Sequence, residues 1–501
     1  MSRPLGRSLA DLGAPVDTDV VVVGAGLSGI GAAHRLRTEL PHLRVEILEA
    51  RAELGGTWSL FRYPGVRSDS DMFTLAYPFA PWRRPEAIGS GPAILDYLRE
   101  TADRHGIAER IRYGHKVIGA DLDTAAARWT LTVETATGTH ETTCRFLYVC
   151  GGYYSYDHPH DAGIPGLGDF AGQVVHPQHW PADLRYADRR VVVVGSGATA
   201  VTLVPAMVSE GDDGQVAAHV TMLQRSPTWI GSIPSRDRFS DAVRRALPAG
   251  PAHQVARVKN VLANSAIYEL CRRAPGRARD LLLGRAAREL GGGTEAERYV
   301  AQHLTPRYDP WDQRLCAAPD GDFFAALRSG RAAIVTATID RVVPEGVRLT
   351  DGRTLPADVL ITATGLEVQV AGGIEPRVDG IPVDLSEQLV LAGAMVTGLP
   401  NFAFCVGYTN ASWTLRADLT SRLVCRVLAW MERRGRALAV PAAPGDVRRR
   451  PLMDLDAGYL RRAASVLPSQ GDRDPWRMRQ SYLPDEIAVR RLDLDEVLTG
   501  R

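Results

Sequence analysis

Two glycine-rich turns of the same design constrain the fold of this chain more than any other feature. The first follows the run 19–23, an aspartate and four valines, and reads G-A-G-L-S-G from residue 24. The second follows the run 190–194, an arginine and four valines, and reads G-S-G-A-T-A from residue 195. Both turns lead into segments with the apolar spacing of a helix. A buried strand, a glycine-rich turn and a helix in this order are typical of a dinucleotide-binding βαβ unit, so the sequence predicts two such units.

The strand after the first turn ends in an acid, Glu49. In such a unit the glycines permit a tight turn and a close approach of the backbone to a pyrophosphate, which lies on the helix N-terminus. A carboxylate at the end of the second strand accepts hydrogen bonds from the adenosine ribose and would repel a 2′-phosphate. The first turn therefore predicts a site for FAD or NAD, and not for NADP.

The strand after the second turn ends in a base. Arg225 and Ser226 stand in the region where the first unit has Glu49. A guanidinium suits a 2′-phosphate because it is always charged and can donate two parallel hydrogen bonds, which favours NADPH over NADH. Two sites of opposite ribose chemistry indicate electron transfer from NADPH to a bound flavin. Since no C-x-x-C cysteine pair is present, dioxygen is the electron acceptor that we expect.

We predict an α/β fold with two Rossmann-like dinucleotide-binding domains. Residues 1–155 and 367–501 are predicted to form the FAD-binding domain, and residues 156–366 the NADPH-binding domain inserted into it. A helical insertion is expected at about residues 232–305, because the segment 252–290 has helical spacing and is basic. A basic amphipathic helix can lie on a membrane surface, but a solvated helix face is the favoured interpretation.

Composition argues against several classes of function. The 59 Lys and Arg residues balance 58 Asp and Glu residues to a net charge of +1, which leaves no field to attract nucleic acid. The apolar run 191–208 contains two glycines and a proline, so it predicts a strand, turn and helix and no transmembrane segment. The six cysteines lie far apart, as reduced thiols do, and we expect a cytoplasmic protein without a secretion signal or a metal site.

Two further motifs carry a resemblance to a known family. Residues 170–181 fit the pattern F-x-G-x-x-x-H-x-x-x-W-P, and residues 55–69 fit G-G-x-W-x-x-x-x-Y-P-G-x-x-x-D. Both patterns are those of the type I Baeyer–Villiger monooxygenases, which the chain therefore resembles. The likeness is closest to the ethionamide-activating branch, through residues 61–73, 176–181, 308–316 and 407–415, and it spans almost the whole chain. The fixed positions of the first pattern are Phe170, Gly172, His176, Trp180 and Pro181.

The resemblance implies a reaction and its two central residues. In the family, NADPH reduces FAD, the reduced flavin captures dioxygen as a C4a-peroxide, and one oxygen atom is inserted into a ketone to give an ester or lactone. Arg314 matches the arginine that stabilises the anionic peroxide and adduct. Asp69 matches the carboxylate that orients this arginine and approaches the flavin. A structural salt bridge between the domains is the alternative reading of this pair.

The glycine turns and the resemblance together imply the cofactor contacts. The predicted FAD contacts are Gly24, Gly26, Ser28, Gly29, Glu49, Gly56, Thr57, Trp58, Asp69 and the backbone of Val117. The predicted NADPH contacts are Arg67, Ser68, Gly195, Ser196, Gly197, Thr199, Ala200, Arg225, Ser226, Gln313 and Trp476. Gln313 replaces a lysine that in many Baeyer–Villiger enzymes also binds the 2′-phosphate, and the loss of that charge can weaken discrimination against NADH.

Other predictions concern the linker and the substrate. By resemblance His176 lies in the interdomain linker, so a hinge role is favoured over a catalytic one. The substrate pocket is expected near Trp413, Phe323 and the helical insertion. The expected substrates are dioxygen and a small organic ketone, with a sulfide or thioamide as alternatives. A heteroatom oxygenase of the flavin-containing monooxygenase type is the alternative function, and a non-catalytic flavin-binding protein is the remote one.

Overall fold

Two separate sheets, each built around one of the glycine-rich turns, form the centre of the molecule. The computed structural model describes residues 8–211, 214–453, 455 and 458–500. One sheet has nine strands and the other has five parallel strands, with helices packed against both. The predicted α/β fold with two Rossmann-like units is confirmed by this arrangement.

The strands are numbered in chain order. They are β1 (Thr18–Val23), β2 (Val45–Glu49), β3 (Ile111–Tyr113), β4 (Lys116–Asp123), β5 (Arg128–Thr135), β6 (Gly138–Val149), β7 (Tyr154–Pro159), β8 (Gln173–Val175), β9 (Arg190–Val194), β10 (His219–Gln224), β11 (Ile230–Ile233), β12 (Cys316–Pro319), β13 (Ala332–Thr336), β14 (Ile339–Val343), β15 (Gly346–Leu349), β16 (Thr354–Pro356), β17 (Val359–Thr362), β18 (Leu366–Val368), β19 (Pro376–Val378), β20 (Ile381–Pro382), β21 (Val390–Leu391), β22 (Met395–Val396), β23 (Phe402–Phe404), β24 (Val440–Pro441), β25 (Arg450–Pro451), β26 (Ser469–Gln470) and β27 (Leu498–Thr499).

The helices are numbered in the same way. They are α1 (Leu27–Glu39), α2 (Thr57–Leu60), α3 (Met72–Leu75), α4 (Gly91–Arg104), α5 (Ala198–Val208), α6 (Arg238–Ala246), α7 (Ala249–Arg273), α8 (Pro275–Glu289), α9 (Gly293–His303), α10 (Asp322–Arg328), α11 (Trp413–Arg434), α12 (Gly458–Arg462), α13 (Tyr482–Arg491) and α14 (Leu494–Val497). None of the helices in the described part of the chain is long and apolar enough to span a membrane.

The nine-stranded sheet combines strands from both ends of the chain. Its order is β20-β19-β4-β5-β6-β1-β2-β3, and β23 also pairs with β6. Strand β1 lies between β2 and β6 and is parallel to both, so the first glycine-rich turn leaves the middle of the sheet. Helices α1 and α11 pack against each other, and their buried residues belong to one core.

The five-stranded sheet is formed by the segment 173–362 alone. Its order is β13-β10-β9-β17-β8, and every neighbouring pair is parallel. The second glycine-rich turn follows β9 near the centre of this sheet and opens α5. Parallel strands buried on both faces read as continuous apolar runs, which is why β9 consists of an arginine and four valines.

Helices α6 to α9 form the insertion between β11 and β12, and α7 packs on the nine-stranded side of the molecule. The guanidinium of Arg257 is buried and donates to the carbonyl oxygens of Phe73 at 3.2 Å, Thr74 at 3.1 Å and Ala76 at 2.7 Å. Four residues earlier, His253 hydrogen-bonds the carbonyl oxygen of Tyr77 at 3.2 Å through Nε2. The insertion therefore joins the two halves of the structure through buried polar contacts.

We expect Gly29→Ala to lower the free energy of unfolding by about 1–3 kcal/mol, the usual cost of overpacking. A Cβ at position 29 would lie 1.8 Å from the carbonyl oxygen of Gly24, which itself has a φ of +101°. The matched control is Gly284→Ala in α8, where no atom lies within 4 Å of the added methyl group. Chemical denaturation should show that the control is unchanged or slightly more stable; equal stability of both variants would contradict close packing at Gly29.

Candidate functional site

Residues of both halves of the structure line one cavity of about 300 Å³. Its walls come from the first glycine-rich turn, the segment 55–70, the segment 152–156, the start of α5, the segment 311–315 and the segment 408–413. The cavity brings together nine residues predicted from the sequence: Gly26, Ser28, Thr57, Trp58, Arg67, Ser68, Asp69, Thr199 and Arg314. Trp413, predicted to lie near the substrate, is also part of its wall.

Arg314 and Asp69 form an ion pair across this cavity. Nη1 of Arg314 lies 3.6 Å from Oδ2 of Asp69, and the two side chains are 42% and 29% exposed. Since both residues line the cavity, much of that exposed surface faces its interior. Burial opposes the charge of Arg314, but the Asp69 carboxylate together with Tyr153, Tyr459 and Cys316 outweighs it, so the pKa of Arg314 is raised above its ordinary value. The guanidinium is therefore a permanent positive charge in the cavity wall.

A second ion pair starts from the same short segment. The guanidinium of Arg67 contacts the carboxylate of Asp322, the first residue of α10, and the longer of its two hydrogen bonds to that group is 3.4 Å. Ser68 lies between the two ion pairs and is buried, and its hydroxyl accepts a hydrogen bond from the N–H of Gly89 at 3.1 Å. The predicted NADPH contacts Arg67 and Ser68 are thus already engaged within the protein.

The first glycine-rich turn has the form of a pyrophosphate cradle. Gly26 is the N-cap residue of α1 and provides no side-chain cap, so the first N–H groups of this helix are available to an anion. A Cβ on Gly56 would lie 3.0 Å from the Cα of Gly26, and a larger residue would close the space between the two loops. Gly24 and Gly29 lie in contact behind the turn. These features fit the phosphates of a dinucleotide such as FAD.

Glu49 stands at the end of β2, as predicted, and its carboxylate is buried. Oε2 accepts a hydrogen bond from the N–H of Ala25 at 2.6 Å, and Oε1 accepts one from the N–H of Arg51 at 2.9 Å. Burial raises the pKa of Glu49, and the two N–H donors oppose that rise. Each oxygen keeps a second lone pair, so the group can also accept from a ribose hydroxyl.

The second glycine-rich turn, where the sequence predicts the other dinucleotide site, has the same open form. A Cβ on Gly195 would lie 2.2 Å from the carbonyl oxygen of Ala363, whereas Gly197 faces open space and leaves α5 without a side-chain cap. The hydroxyl of Ser196 donates to the carbonyl oxygen of Ser226 at 3.1 Å and ties this turn to the end of β10. Arg225 is exposed there and makes no ion pair with any described residue. Ala200, in the first turn of α5, is buried behind the site.

The fingerprint segment connects the sheets. Phe170 is buried beside β9 and β17, and a Cβ on Gly172 would lie 2.4 Å from the carbonyl oxygen of Asp358. His176 caps the short helical turn that precedes Trp180 and Pro181, and burial lowers its pKa to about 4. The neutral ring packs into the linker, and its hinge role stays a prediction.

Among the predicted residues that do not line the cavity, four others remain to be placed. Trp476 is 2% exposed in the core beneath α11, so its ring is not available to a nicotinamide ribose in this structure. Phe323 is fully buried in the core around α5 and does not line this cavity. Val117 is buried in β4, and Gln313 lies next to Arg314 without lining the cavity.

Several cavity residues were missed by the sequence analysis. Tyr153, Tyr154 and Tyr156 line one wall, and the hydroxyl of Tyr154 lies 2.7 Å from the hydroxyl of Thr57. Trp311 has a φ of +71°, and its buried indole N–H has no hydrogen-bond partner among the described residues. An unusual backbone and a free donor three residues before Arg314 mark Trp311 as a functional candidate, but neither feature is visible in a sequence.

Two cysteines also meet next to this cavity. Cys150 lines it, and Cys405 follows the adjacent strand β23, with its N–H donating to the carbonyl oxygen of Val149 at 2.8 Å. The absence of a C-x-x-C motif therefore did not exclude a close cysteine pair. Burial raises the pKa of Cys150 well above its ordinary value, so its thiol stays protonated. No group of three His, Cys, Asp or Glu side chains in the described ranges could hold a metal ion.

Comparison with known proteins identifies the family. The model described as flavin-binding monooxygenase-like matches residues 76–241, and that of the NAD(P)-binding Rossmann-like domain matches residues 22–84. The FAD-containing monooxygenase EthA of Mycobacterium tuberculosis (strain ATCC 25618 / H37Rv) is 48% identical over 479 residues, which cover 95% of this chain and 96% of the relative. The chain belongs to the EthA-type FAD-containing monooxygenases.

A further relative and a solved structure are also similar to this EthA-type monooxygenase. The probable FAD-binding monooxygenase AlmA of Acinetobacter baylyi (strain ATCC 33305 / BD413 / ADP1) is 43% identical over 485 residues, or 95% of each chain. The solved structure of an oxidized steroid monooxygenase bound to NADP superposes with a TM-score of 0.69 at 25% identity, covering 85% of this chain and 87% of that one. The predictions of a flavin monooxygenase and of the EthA-type branch are confirmed.

We expect Glu49→Ala to lower the affinity for FAD at least about tenfold, because the variant leaves two loop N–H groups without their acceptor. The control is Glu109→Ala, which removes an exposed carboxylate from the short helical turn before β3. The measurement is the flavin retained per chain after gel filtration at graded FAD concentrations. Full retention by Glu49→Ala would show that Glu49 does not support the FAD site.

Proposed function

We propose that this protein is a Baeyer–Villiger oxygenase that inserts one atom of dioxygen into a small organic ketone to give an ester or lactone. The observation that supports this most is the ion pair of Arg314 and Asp69 in the wall of a cavity shared by both dinucleotide units. FAD and NADPH are the cofactors of the enzyme, and bound FAD supplies the activation of dioxygen with electrons from NADPH.

The residues that would hold the two cofactors follow from the two turns. We assign FAD to residues 1–155 and 367–501, where Gly26, Gly56 and the N-terminus of α1 would bind the pyrophosphate and Glu49 the ribose. We assign NADPH to residues 156–366, where the uncapped N-terminus of α5 would bind the pyrophosphate and Arg225 the 2′-phosphate. The cavity that opens between them would hold the reacting ends and the substrate.

Arg314 would act by charge. Transfer of oxygen to a ketone builds negative charge on oxygen, and a fixed cation stabilises that charge most where water is excluded. Asp69 holds the guanidinium from one side at 3.6 Å, which leaves its other N–H donors directed elsewhere. Because the raised pKa keeps Arg314 charged at every working pH, it serves as an electrostatic group and not as a proton donor.

Aromatic side chains would keep this charge out of water. Tyr153 stacks on Trp413 with ring centroids 5.3 Å apart, and the indole N–H of Trp413 donates to the hydroxyl of Ser28 at 2.7 Å. Burial raises the pKa of Tyr154 well above its ordinary value, so its hydroxyl stays neutral. A wall of neutral aromatic groups around one ion pair suits a small organic ketone better than a charged substrate.

We expect Arg314→Ala to lower the rate of ketone oxygenation by about 10²–10³, as the loss of one stabilising donor does in other oxyanion sites. Reduction of the flavin by NADPH under anaerobic conditions should persist, because it does not need this charge. The control is Arg348→Ala, which breaks an exposed ion pair with Asp340. Products are identified by mass spectrometry on a panel of ketones, sulfides and thioamides.

The panel also separates the proposal from its rival. Ester formation by the wild type and its collapse in Arg314→Ala would support the Baeyer–Villiger reaction. If the wild type makes no ester from any ketone, and Arg314→Ala still oxidises sulfides at the full rate, the protein is a heteroatom oxygenase.

The cytoplasmic location of the protein stays a prediction that depends on the wide spacing of the cysteines in the sequence.

We expect Arg225→Ala to raise the Michaelis constant for NADPH by about 10- to 100-fold, the effect of one charge-assisted hydrogen bond. The constant for NADH should change little, because NADH has no 2′-phosphate. Arg331→Ala is the control, since this arginine is exposed on the same domain and precedes β13. Equal effects on both coenzymes would refute the 2′-phosphate contact.

A further inference from the structure

A groove of about 550 Å³ lies where the helical insertion meets the segment 73–85. It shares no lining residue with the cofactor cavity. Its floor contains Phe73 and Trp82, and its rim is formed by Pro81, Pro85 and the start of α7. Neither the dinucleotide sites nor the proposed oxygenation uses this groove.

Positive charge dominates the groove. Arg83, Arg236, Arg244 and Arg245 line it, against one acid, Asp241. Arg244 is held in place by Asp241 at 2.8 Å and by the Phe73 ring, 5.7 Å from its guanidinium carbon. Arg83, Arg236 and Arg245 have no ion-pair partner in the described part of the chain. Three cations are therefore available to an anion at this place.

Two features of the wall add to this charge. Helix α7 has 25 residues and begins at Ala249 in the groove, and its N-cap residue, Pro248, offers no side-chain cap. The N-terminal N–H groups and the helix dipole favour an anion there. His253 lies on the first turns of the same helix, is 2% exposed, and lines the groove.

His253 has a buried hydrogen-bonding atom without a partner. Its Nε2 contacts the carbonyl oxygen of Tyr77, which can only accept, so Nε2 carries the proton and Nδ1 presents a lone pair. Nδ1 is buried and has no hydrogen-bond partner among the described residues. Burial and the nearby Arg257 lower the pKa of His253 to about 4, which keeps Nδ1 an acceptor. The groove thus offers several donors and one acceptor.

We propose that this groove binds a protonated phosphate group, as inorganic hydrogen phosphate or a phosphate monoester. The anionic oxygens would accept from the guanidinium groups of Arg83, Arg236 and Arg245 and from the N-terminus of α7. The P–OH group would donate to Nδ1 of His253. A phosphate monoester has a second pKa near 6, so it keeps such a proton in weakly acidic solution. Sulfate has the same shape but no proton to donate.

Isothermal titration of the holoenzyme tests this directly. The enzyme is loaded with FAD and saturating NADP⁺, so that the dinucleotide sites are filled, and is titrated with sodium phosphate and with sodium sulfate at about pH 6, near the second phosphate pKa. We expect one saturable phosphate site per chain and at least about tenfold weaker sulfate binding, the effect of one hydrogen bond to a buried acceptor. No saturable phosphate binding would overturn the proposal.

Three variants locate the site. Arg236→Ala/Arg245→Ala should weaken phosphate binding at least about tenfold, whereas Arg277→Ala, an exposed arginine of α8, should not change it. His253→Gln keeps a donor near the Nε2 position and removes the Nδ1 acceptor, so it should abolish the preference for phosphate over sulfate. Melting temperatures identify any variant that fails to fold. Unchanged phosphate binding in the folded double variant would refute the site.

A second experiment, vesicle sedimentation, distinguishes a lipid headgroup from a soluble phosphate as the ligand. Vesicles of phosphatidylcholine with phosphatidic acid, whose headgroup is a phosphate monoester, are sedimented with the holoenzyme; pure phosphatidylcholine is the control. Sedimentation that is lost in Arg236→Ala/Arg245→Ala and kept in Arg277→Ala assigns the site to a lipid headgroup. Saturable phosphate binding in solution without sedimentation assigns it to a soluble phosphate. Sedimentation that is equal in all variants, together with no phosphate site by titration, overturns the proposal.

Discussion

The ion pair between Arg314 and Asp69 is the contact on which the arrangement of the two dinucleotide units depends. Asp69 belongs to the segment that follows the first turn, and Arg314 belongs to the segment between α9 and β12. Two positions before Asp69, Arg67 pairs with Asp322, so that this segment contributes the cation to one ion pair and the anion to the other. A shift of the segment 67–69 by two residues would bring like charges together, so the alternating pattern favours one mutual placement of the halves.

The aromatic wall makes this ion pair effective. Charges interact strongly only where few water molecules intervene, and Tyr153, Tyr154, Tyr156 and Trp413 line the same cavity as Arg314. Their hydroxyl and indole groups bond to neighbours within the wall, so few polar atoms compete for the guanidinium. The cavity therefore combines paired charges with a largely aromatic lining, which suits the proposed transfer of oxygen to an uncharged ketone.

Local patterns predicted the parts of the site that depend on local geometry. The turns around Gly24 and Gly195 follow from spacing, because only glycine fits their backbone and contacts. Residue type alone could not distinguish the tryptophans that line the cavity from those in the core. Trp413 lines the cavity, whereas Trp476 is buried in the core beneath α11. The distinction depends on how α11 packs, which involves residues distant in sequence. Trp311 was missed because its backbone conformation is a product of the fold.

The helical insertion adds a constraint on motion. It lies within the segment predicted to bind NADPH, but Arg257 is 6% exposed and donates to carbonyl oxygens of the segment 73–76. Pulling α7 away would leave a buried guanidinium and three carbonyl groups unpaired, which costs more than breaking exposed ion pairs. A rotation of the five-stranded sheet relative to the nine-stranded sheet would therefore leave α7 in place, whereas α8 and α9, which share the core around α5, would move with the five-stranded sheet. The bending would fall between α7 and α8.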